Sequence, residues 1–446
     1  MFILQGIVGL IIIIGLAWLF SSNRKAINWK LVGIGISLQV VFGIFVIRGR
    51  DLGQIWSPLE WPKMAFDFVS TVFVQLLAFT VEGSRFVFGN LAISPGFNDS
   101  LGFFFAFQVL PTIIFFASIM SVLYHLGIMQ KVVQGVAWLI SKSLRTSGAE
   151  TLSVSANIFV GQTEAPLVIK PFIGKMTQSE LMAVMIGGMA TIAGGVMASY
   201  VQMLGFSFAQ AKGIPIQEAQ IQFAGQLLGA SIMAAPAALL IAKILVPETG
   251  TPETTGHVKV PVEKTSSNVI EAAAAGAADG LKLALNVGAM LLAFIALIAL
   301  VNWLLGQLGE VTGLNAWLVD TYKQPLKLEL MLGLVLQYLA MGIGVPVADA
   351  LNFGSLIGTK IILNEFVAYL NLADMVKANM LDPKTITMAT FALCGFANIS
   401  SIAIQIGGIG PLAPHRQSDL AKLGLRAVLG GTLATLMTAS IAGVLG

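Results

Sequence analysis

Apolar windows of about the length needed to cross a bilayer, roughly 20 residues, recur along the chain and are separated by short polar clusters. Clear windows fall at 2–20, 31–48, 102–124, 181–203, 223–246, 281–305 and 421–445, with a less uniform one at 386–408. This pattern predicts eight spanning helices. Two further apolar segments, 150–173 and 346–370, are interrupted by polar residues and glycine. Each follows directly on an amphipathic stretch, 128–146 or 327–342. Residues 51–90 mix aromatic, acidic and basic side chains and read as an extramembrane or interfacial helix. A soluble-looking linker, PETGTPETTGHVKVPVEKTSS at 247–267, divides the chain near its middle.

The interruptions carry a weak internal repeat. The first unit runs from an amphipathic stretch to an interrupted segment holding Glu164, then a span broken at GGMATIAGG (187–195), then a continuous span. The second runs from an amphipathic stretch to a segment holding Glu365, then a span broken at CGFANISS (394–401), then the last span. If each interrupted segment re-enters on its own side, the two units enter from opposite faces. That is an inverted repeat, the arrangement in which many secondary transporters bring discontinuous helices together near the midplane. The expected division is 1–127 as scaffold, 128–246 as the first transport repeat, 247–326 as linker plus a scaffold helix, and 327–446 as the second repeat.

Composition decides the solvent. The chain is 56% hydrophobic and only 11% charged, with mean hydropathy +0.86, against about 25% charged residues in a soluble domain. An all-α integral membrane protein follows. A net charge of +3 from scattered basic residues gives no nucleic-acid surface. The single Cys394 allows no intramolecular disulfide, and His125, His257 and His415 are too far apart for a zinc-type site. The first apolar run is followed by Arg24 and Lys25 rather than preceded by charge, so it reads as a spanning helix with a cytoplasmic C-terminal end, not as a signal peptide. Eight crossings then place both termini outside, with the larger share of lysine and arginine on the cytoplasmic side. Arg48 and Arg50 fall on the other.

Within the interrupted segments, NIFVGQTEAPL (157–167) sets Gln162, Thr163 and Glu164 side by side and then Pro166. Proline suits the first turn of a new half-helix, and a helix broken at Gly161 exposes carbonyls from one half and amides from the other. An ionisable residue at membrane depth is a functional-site hypothesis by default; the competing reading of Glu164 is an interfacial carboxylate in a loop. Glu365, in LNEFVAY, has the same two readings, and its matching place in the repeat favours the functional one. Asn398, Ser400 and Ser401 serve either a site or interhelical hydrogen bonding. Thr191 serves either an ion or the carbonyl one turn before it. The stretch EAAAAGAADG (271–280) reads as close helix packing.

Three of these segments, GQTEAPL (161–167), NEFVAY (364–369) and GFANISSIAI (395–404), resemble the signature segments of the concentrative nucleoside transporters. SNRKAIN (22–28), KMTQSE (175–180) and LNVGAML (285–291) extend the resemblance over nearly the whole chain. It implies a homotrimer of elevator transporters in a bacterial inner membrane, each protomer with eight spanning helices, two re-entrant helical hairpins at 150–173 and 346–370, and interfacial helices. By the same resemblance Gln162, Thr163 and Glu164 face the nucleobase, and Glu365, Asn398 and Ser401 face the ribose hydroxyls. Val196, Leu283 and Phe396 wall the base. Asn157, Val160, Thr191 and Ile192 hold sodium largely through backbone carbonyls, with Thr191 standing where relatives carry serine.

The residue chemistry agrees with those roles. A carboxylate is acceptor-only and takes both hydroxyls of a cis-diol; a glutamine donates and accepts, as a pyrimidine edge does. The expected function is sodium-coupled import of uridine, other pyrimidine nucleosides and adenosine, without enzymatic chemistry. The alternatives are proton coupling, which by the family resemblance the intact GQTEAP motif disfavours, and another small polar solute. An anionic solute is disfavoured by two acidic residues at the site and by the absence of arginine from all three motifs. An intramembrane enzyme would need a nucleophile–base pair or a metal set, and no span places a histidine near an acid or cysteine.

Overall fold

The structure is a computed structural model describing residues 2–93, 99–254 and 266–446; the centre of the linker, 255–265, with His257, Lys259 and Lys264, lies outside the described residues. The described residues are helical throughout their regular structure. The first third holds α1 (Phe2–Leu19), α2 (Trp29–Ile55), α3 (Trp61–Phe88), the short α4 (Phe105–Gln108) and α5 (Leu110–His125). The first repeat follows as α6 (Ile128–Leu144), α7 (Gly148–Ala156), the short α8 (Lys170–Ile173), α9 (Gln178–Ala190), α10 (Gly194–Lys212) and α11 (Ile216–Leu245). After the linker come α12 (Val269–Val311) and α13 (Leu314–Tyr322). The second repeat is α14 (Leu328–Gly342), α15 (Val347–Ile362), α16 (Glu365–Lys377), α17 (Pro383–Leu393), α18 (Ile399–Ile409) and α19 (Gln417–Leu445).

Among the described residues seven helical stretches are long and apolar enough to cross a membrane, or up to eight if the bent pair α14–α15 counts as one. The protein is a multi-pass membrane protein. The stretch 51–90 departs from expectation: α2 continues to Ile55, and α3 is an unbroken 28-residue helix, part of a stretch that is itself apolar and long enough to span. Near its start Lys63 and Arg50 both bind Asp67, while Glu82 and Arg85 lie toward its end, so an apolar middle is flanked by charge. α12 is also longer than the 281–305 window, 43 residues, or about 65 Å at 1.5 Å per residue. It outruns a hydrocarbon core of about 30 Å.

Both expected broken spans are broken where the sequence places the interruptions, between Ala190 and Gly194 and between Leu393 and Ile399. Both interrupted segments are hairpins of two helical pieces. Capping explains their starts. Ser147 and Glu150 form a capping box on α7, and Thr177 and Glu180 form one on α9. Asn364 caps α16 and Asn398 caps α18 through their side-chain oxygens. The repeats interlock: α11 and α19 pack on each other and on the first halves of both broken helices, and α10 packs on α16.

Burial separates these helices from the rest. Of the apolar windows, 94% of that in α11 is buried against 17% of that in α12, so α12 presents most of its surface outward. It packs on α5 through small residues. A Cβ on Gly276 would fall 2.7 Å from the Ala117 carbonyl oxygen, the close approach expected of EAAAAGAADG. The ends of the molecule are also distinct. Ser22, Leu245, the starts of α7 and α9, linker residues to Thr254, and Arg416 meet at one end through Ser22–Leu245, Gly148–Thr254 and Arg416–Met176 hydrogen bonds. Both termini lie at the other, where Arg48 donates to the Leu445 carbonyl and Gly6 abuts Val444.

Candidate substrate and ion site

The two breaks touch. Gly395 has φ +147°, and a Cβ there would lie 2.6 Å from the Met189 carbonyl oxygen, so both the conformation and the contact require glycine. The tip of the first hairpin is tied to the first break by a 3.1 Å bond from the Gly194 amide to the Phe159 carbonyl. At the tip of the second hairpin, Asn364 caps α16 and Glu365 is the first residue of that helix, where it meets the positive end of the helix dipole.

Between hairpin tips, breaks and α12 lies a cavity of about 160 Å³. It is lined by every nucleoside-facing residue expected from the sequence: Gln162, Thr163, Glu164, Val196, Leu283, Glu365, Phe396, Asn398 and Ser401. Glu365, Asn398 and Ser401 are buried, whereas Glu164 is exposed at the cavity rim. The Glu365 carboxylate accepts from the Tyr200 hydroxyl at 3.0 Å and from the Asn398 amide at 3.1 Å, one partner on each oxygen. Each oxygen keeps lone-pair capacity for a further donor. Asn398 accepts in turn from the Ser401 amide at 2.8 Å and from the Ser400 hydroxyl at 2.7 Å.

At the other hairpin, Gln162 donates to Ser401 Oγ at 3.2 Å and accepts from Gln405 at 3.0 Å. Glu164 accepts from the Gly161 amide at 2.7 Å, closing the tip on itself. The arrangement is crossed: the first hairpin reaches the broken helix of the second repeat, and the second hairpin reaches both Tyr200 of the first repeat and Asn398 of its own. Sequence reasoning misses Asn364, Phe366, Val287, Met290 and Leu291 in the lining, and Tyr200 and Gln405 behind it. Tyr200 and Gln405 do carry a signal, each being a polar group inside an apolar run; Val287, Met290 and Leu291 lie in LNVGAML, but nothing in their own chemistry marks them as cavity-facing.

A larger hollow of about 510 Å³ lies between residues 26–31 and the base of the first hairpin. Its buried cation is already satisfied: Lys243 binds Glu150 at 2.8 Å, Ser179 at 3.0 Å and Glu248 at 3.2 Å. The smaller cavity, where polar groups converge with capacity left over, is the better ligand site.

The four residues expected to hold sodium gather at the carbonyl ends of two half-helices, Asn157 capping α7 and Thr191 capping α9. The helices are in contact there, since a Cβ on Gly187 would meet Val154 at 2.7 Å. Thr191 donates its proton to the Gly187 carbonyl at 2.9 Å, a bond to the carbonyl one turn before it, which leaves its oxygen lone pairs free. Asn157 donates to the Ser153 carbonyl at 3.1 Å, while its buried Oδ1 has no hydrogen-bond partner. An unpartnered buried carbonyl oxygen beside helix-end carbonyls is a hard, neutral donor set, which suits sodium. Val160 is half-buried and Ile192 buried at the same junction.

Residues 8–91 and 226–443 match the N-terminal and C-terminal parts of the Na+ dependent nucleoside transporter family, and residues 106–207 match a domain described as nucleoside recognition. Nucleoside permease NupC of Helicobacter pylori is 42% identical over 99% of this chain and 97% of its own length. The chain belongs to the Na+ dependent nucleoside transporter family. An uncharacterized transporter of Haemophilus influenzae is 46% identical over 100% of this chain and 98% of its own. CNTnw, solved in an inward-facing substrate-bound state, is 40% identical with a TM-score of 0.84, over 100% of this chain and 98% of that one. This member of the family is therefore a membrane transporter, not an enzyme, and nucleosides are its substrate class.

Proposed function

We propose that the protein is a sodium–nucleoside symporter that imports uridine, other pyrimidine nucleosides and adenosine by an elevator movement. The observation that carries this is the convergence of nine expected side chains on one cavity, with a buried carboxylate at a helix N-terminus. Glu365 takes the ribose 2′- and 3′-hydroxyls on its two oxygens, while Tyr200 and Asn398 hold it in place. Gln162, Thr163 and Glu164 meet the base edge, and Val196, Leu283 and Phe396 close over its faces. Sodium is a co-substrate held by Asn157 and by the backbone at Val160, Thr191 and Ile192. Its charge supplies the electrical part of the driving force.

Coupling through that pocket has a local basis: the Gly194–Phe159 bond links the ion junction to the hairpin that carries Gln162. One sodium ion moving inward across 100 mV contributes about 2.3 kcal/mol, and a tenfold gradient adds about 1.4 kcal/mol. Together they support accumulation of roughly several hundred-fold at one-to-one coupling.

The elevator reading is supported by the contrast between the interlocked, buried repeats and the outward-facing α12. Residues 128–246 and 327–446 form the moving body, and 1–127 with 247–326 form the scaffold. The exposed length of α12 suits the homotrimer contact, and the setting is a bacterial inner membrane. Uridine uptake into proteoliposomes decides among the readings. It is expected to require a sodium gradient and to ignore a pH gradient; uptake that persists in choline and follows pH would leave a proton-coupled carrier.

A further inference from the structure

Gln405 of α18 stands outside the lining of the substrate cavity and is fully buried, yet its amide touches Gln162. Its Nε2 donates twice, to the Met185 carbonyl of α9 at 2.9 Å and to Gln162 Oε1 at 3.0 Å. Its own Oε1 is buried and has no hydrogen-bond partner among the described residues, an arrangement that is destabilising by itself. Turning the amide over would not relieve it. The Met185 carbonyl can only accept, so a flipped Gln405 would set oxygen against oxygen there and lose both of its bonds. The amide therefore has one way round. Both glutamines lie against the bare backbone of Gly188, where a Cβ would fall 2.8 Å from Gln162 Cβ and 2.9 Å from Gln405 Nε2.

The fixed end decides the next one. Because Gln405 presents N–H groups, Gln162 answers with its Oε1, and its NH2 is turned away to donate one proton to Ser401 Oγ at 3.2 Å. The other proton of that NH2 is left for a ligand. Ser401 could not impose this orientation, since a hydroxyl donates or accepts equally well. A glutamine free to turn over reads donor and acceptor alike; a locked one does not. Uridine and cytidine exchange a donor for an acceptor along the same base edge, so the lock bears on which of them is preferred.

We propose that Gln405 is a positioning residue for base specificity: it takes the Met185 carbonyl as a fixed reference and holds Gln162 with its NH2 toward the nucleobase, so that the site asks for an acceptor there. The inference rests on the assignment of Gln162 to the base proposed above. Gln405 itself touches no substrate and acts only through Gln162.

The test is binding of uridine and cytidine to purified protein, read as the ratio of the two Kd values. Gln405→Glu reverses the lock. Its carboxyl donates a proton to Met185 and then has only an oxygen for Gln162, which turns its NH2 inward and its Oε1 to the cavity. The ratio is expected to shift roughly three- to tenfold from that of the unmodified protein, the scale of coupling within one hydrogen-bond network. Gln405→Met, similar in volume and without a hydrogen-bonding amide, releases Gln162 and is expected to move the ratio part of the way in the same direction. In a Gln162→Ala background neither substitution should move the ratio further. A Gln405→Glu protein that weakens uridine and cytidine by the same factor, or that shifts the ratio equally with and without Gln162, would overturn the proposal. Gln405→Met removes an unpaired buried oxygen and fills the same space, so it covers the case in which Gln405→Glu fails to fold; an unchanged ratio in that variant is enough to overturn the proposal. A Gln162→Ala protein that by itself keeps the original ratio is a different result and would refute the placing of Gln162 at the base.

Discussion

Replacing Glu365 with glutamine tests the ribose assignment most directly, because the structure says what the amide can and cannot restore. In the native site one carboxylate oxygen accepts from Tyr200 at 3.0 Å and the other from Asn398 at 3.1 Å. Glutamine can turn its oxygen toward the Asn398 amide, which only donates at that atom, and its NH2 toward Tyr200, whose hydroxyl can rotate to accept. The protein's own bonds are thus largely recovered, and the fold should survive. What is lost is one of the two acceptors offered to the ribose, together with the negative charge on both. A hydrogen bond to a charged group is worth about 1.5–3 kcal/mol, which corresponds to a roughly 10- to 150-fold weaker Kd at 1.4 kcal/mol per decade.

Calorimetric binding of uridine, cytidine, adenosine and deoxyuridine to purified Glu365→Gln should show the three ribonucleosides weakened together. Deoxyuridine should be weakened less, because it lacks one of the hydroxyls that used the carboxylate. The ratio of uridine to deoxyuridine affinity should therefore collapse toward unity. Glu365→Ala strands Tyr200 and Asn398 beside a void, and truncating one partner of a buried charged bond typically costs about 2–5 kcal/mol, so it should come close to abolishing binding. If Glu365→Gln instead reorders the bases and keeps the deoxyribose discrimination, the two ends of the substrate are reversed and the argument is wrong.

Three further outcomes follow from the same geometry. Gln162→Ala removes the bridge to Ser401 and Gln405 but leaves Gln405 its 2.9 Å bond to the Met185 carbonyl; it should change the ranking of uridine, cytidine and adenosine in competition binding more than the overall strength. Thr191→Val deletes the hydroxyl at the end of α9, and should raise the sodium concentration needed for half-maximal uptake while leaving uridine affinity at saturating sodium unchanged; an unaltered sodium curve would remove Thr191 from the ion site. Thr112 of α5 and Ser199 of α10 face each other across the proposed domain boundary with their hydroxyls 3.2 Å apart. In a Cys394→Ser background the pair Thr112→Cys and Ser199→Cys should oxidise, arrest uptake and recover with reductant, and full uptake by the crosslinked protein would refute sliding at that surface.

Much of the architecture is legible from one dimension because a bilayer imposes one. Apolar runs of spanning length, the linker, the repeat and both helix breaks are local properties of the chain. A glycine- or polar-rich interruption inside an apolar run is tolerated in lipid only where it is buried in protein or lines a cavity. The segment 51–90 resists the same reading because Asp67 is neutralised by Lys63 and by Arg50 of the preceding helix, and pairing is not visible in a hydropathy window. The signature motifs name the residues proposed to face the nucleoside, but their meeting depends on contacts across more than two hundred positions, such as Gln162 with Ser401 and Gln405. Only the fold could supply Val287, Met290 and Leu291 of α12 as cavity walls, because an apolar residue on a long apolar helix looks the same whether it faces lipid or ligand. The same holds for Gln405. A glutamine in an apolar run is marked by its polarity alone, and whether its amide reaches water, a ligand or the carbonyl of Met185 is set by where α9 and the first hairpin lie beside it.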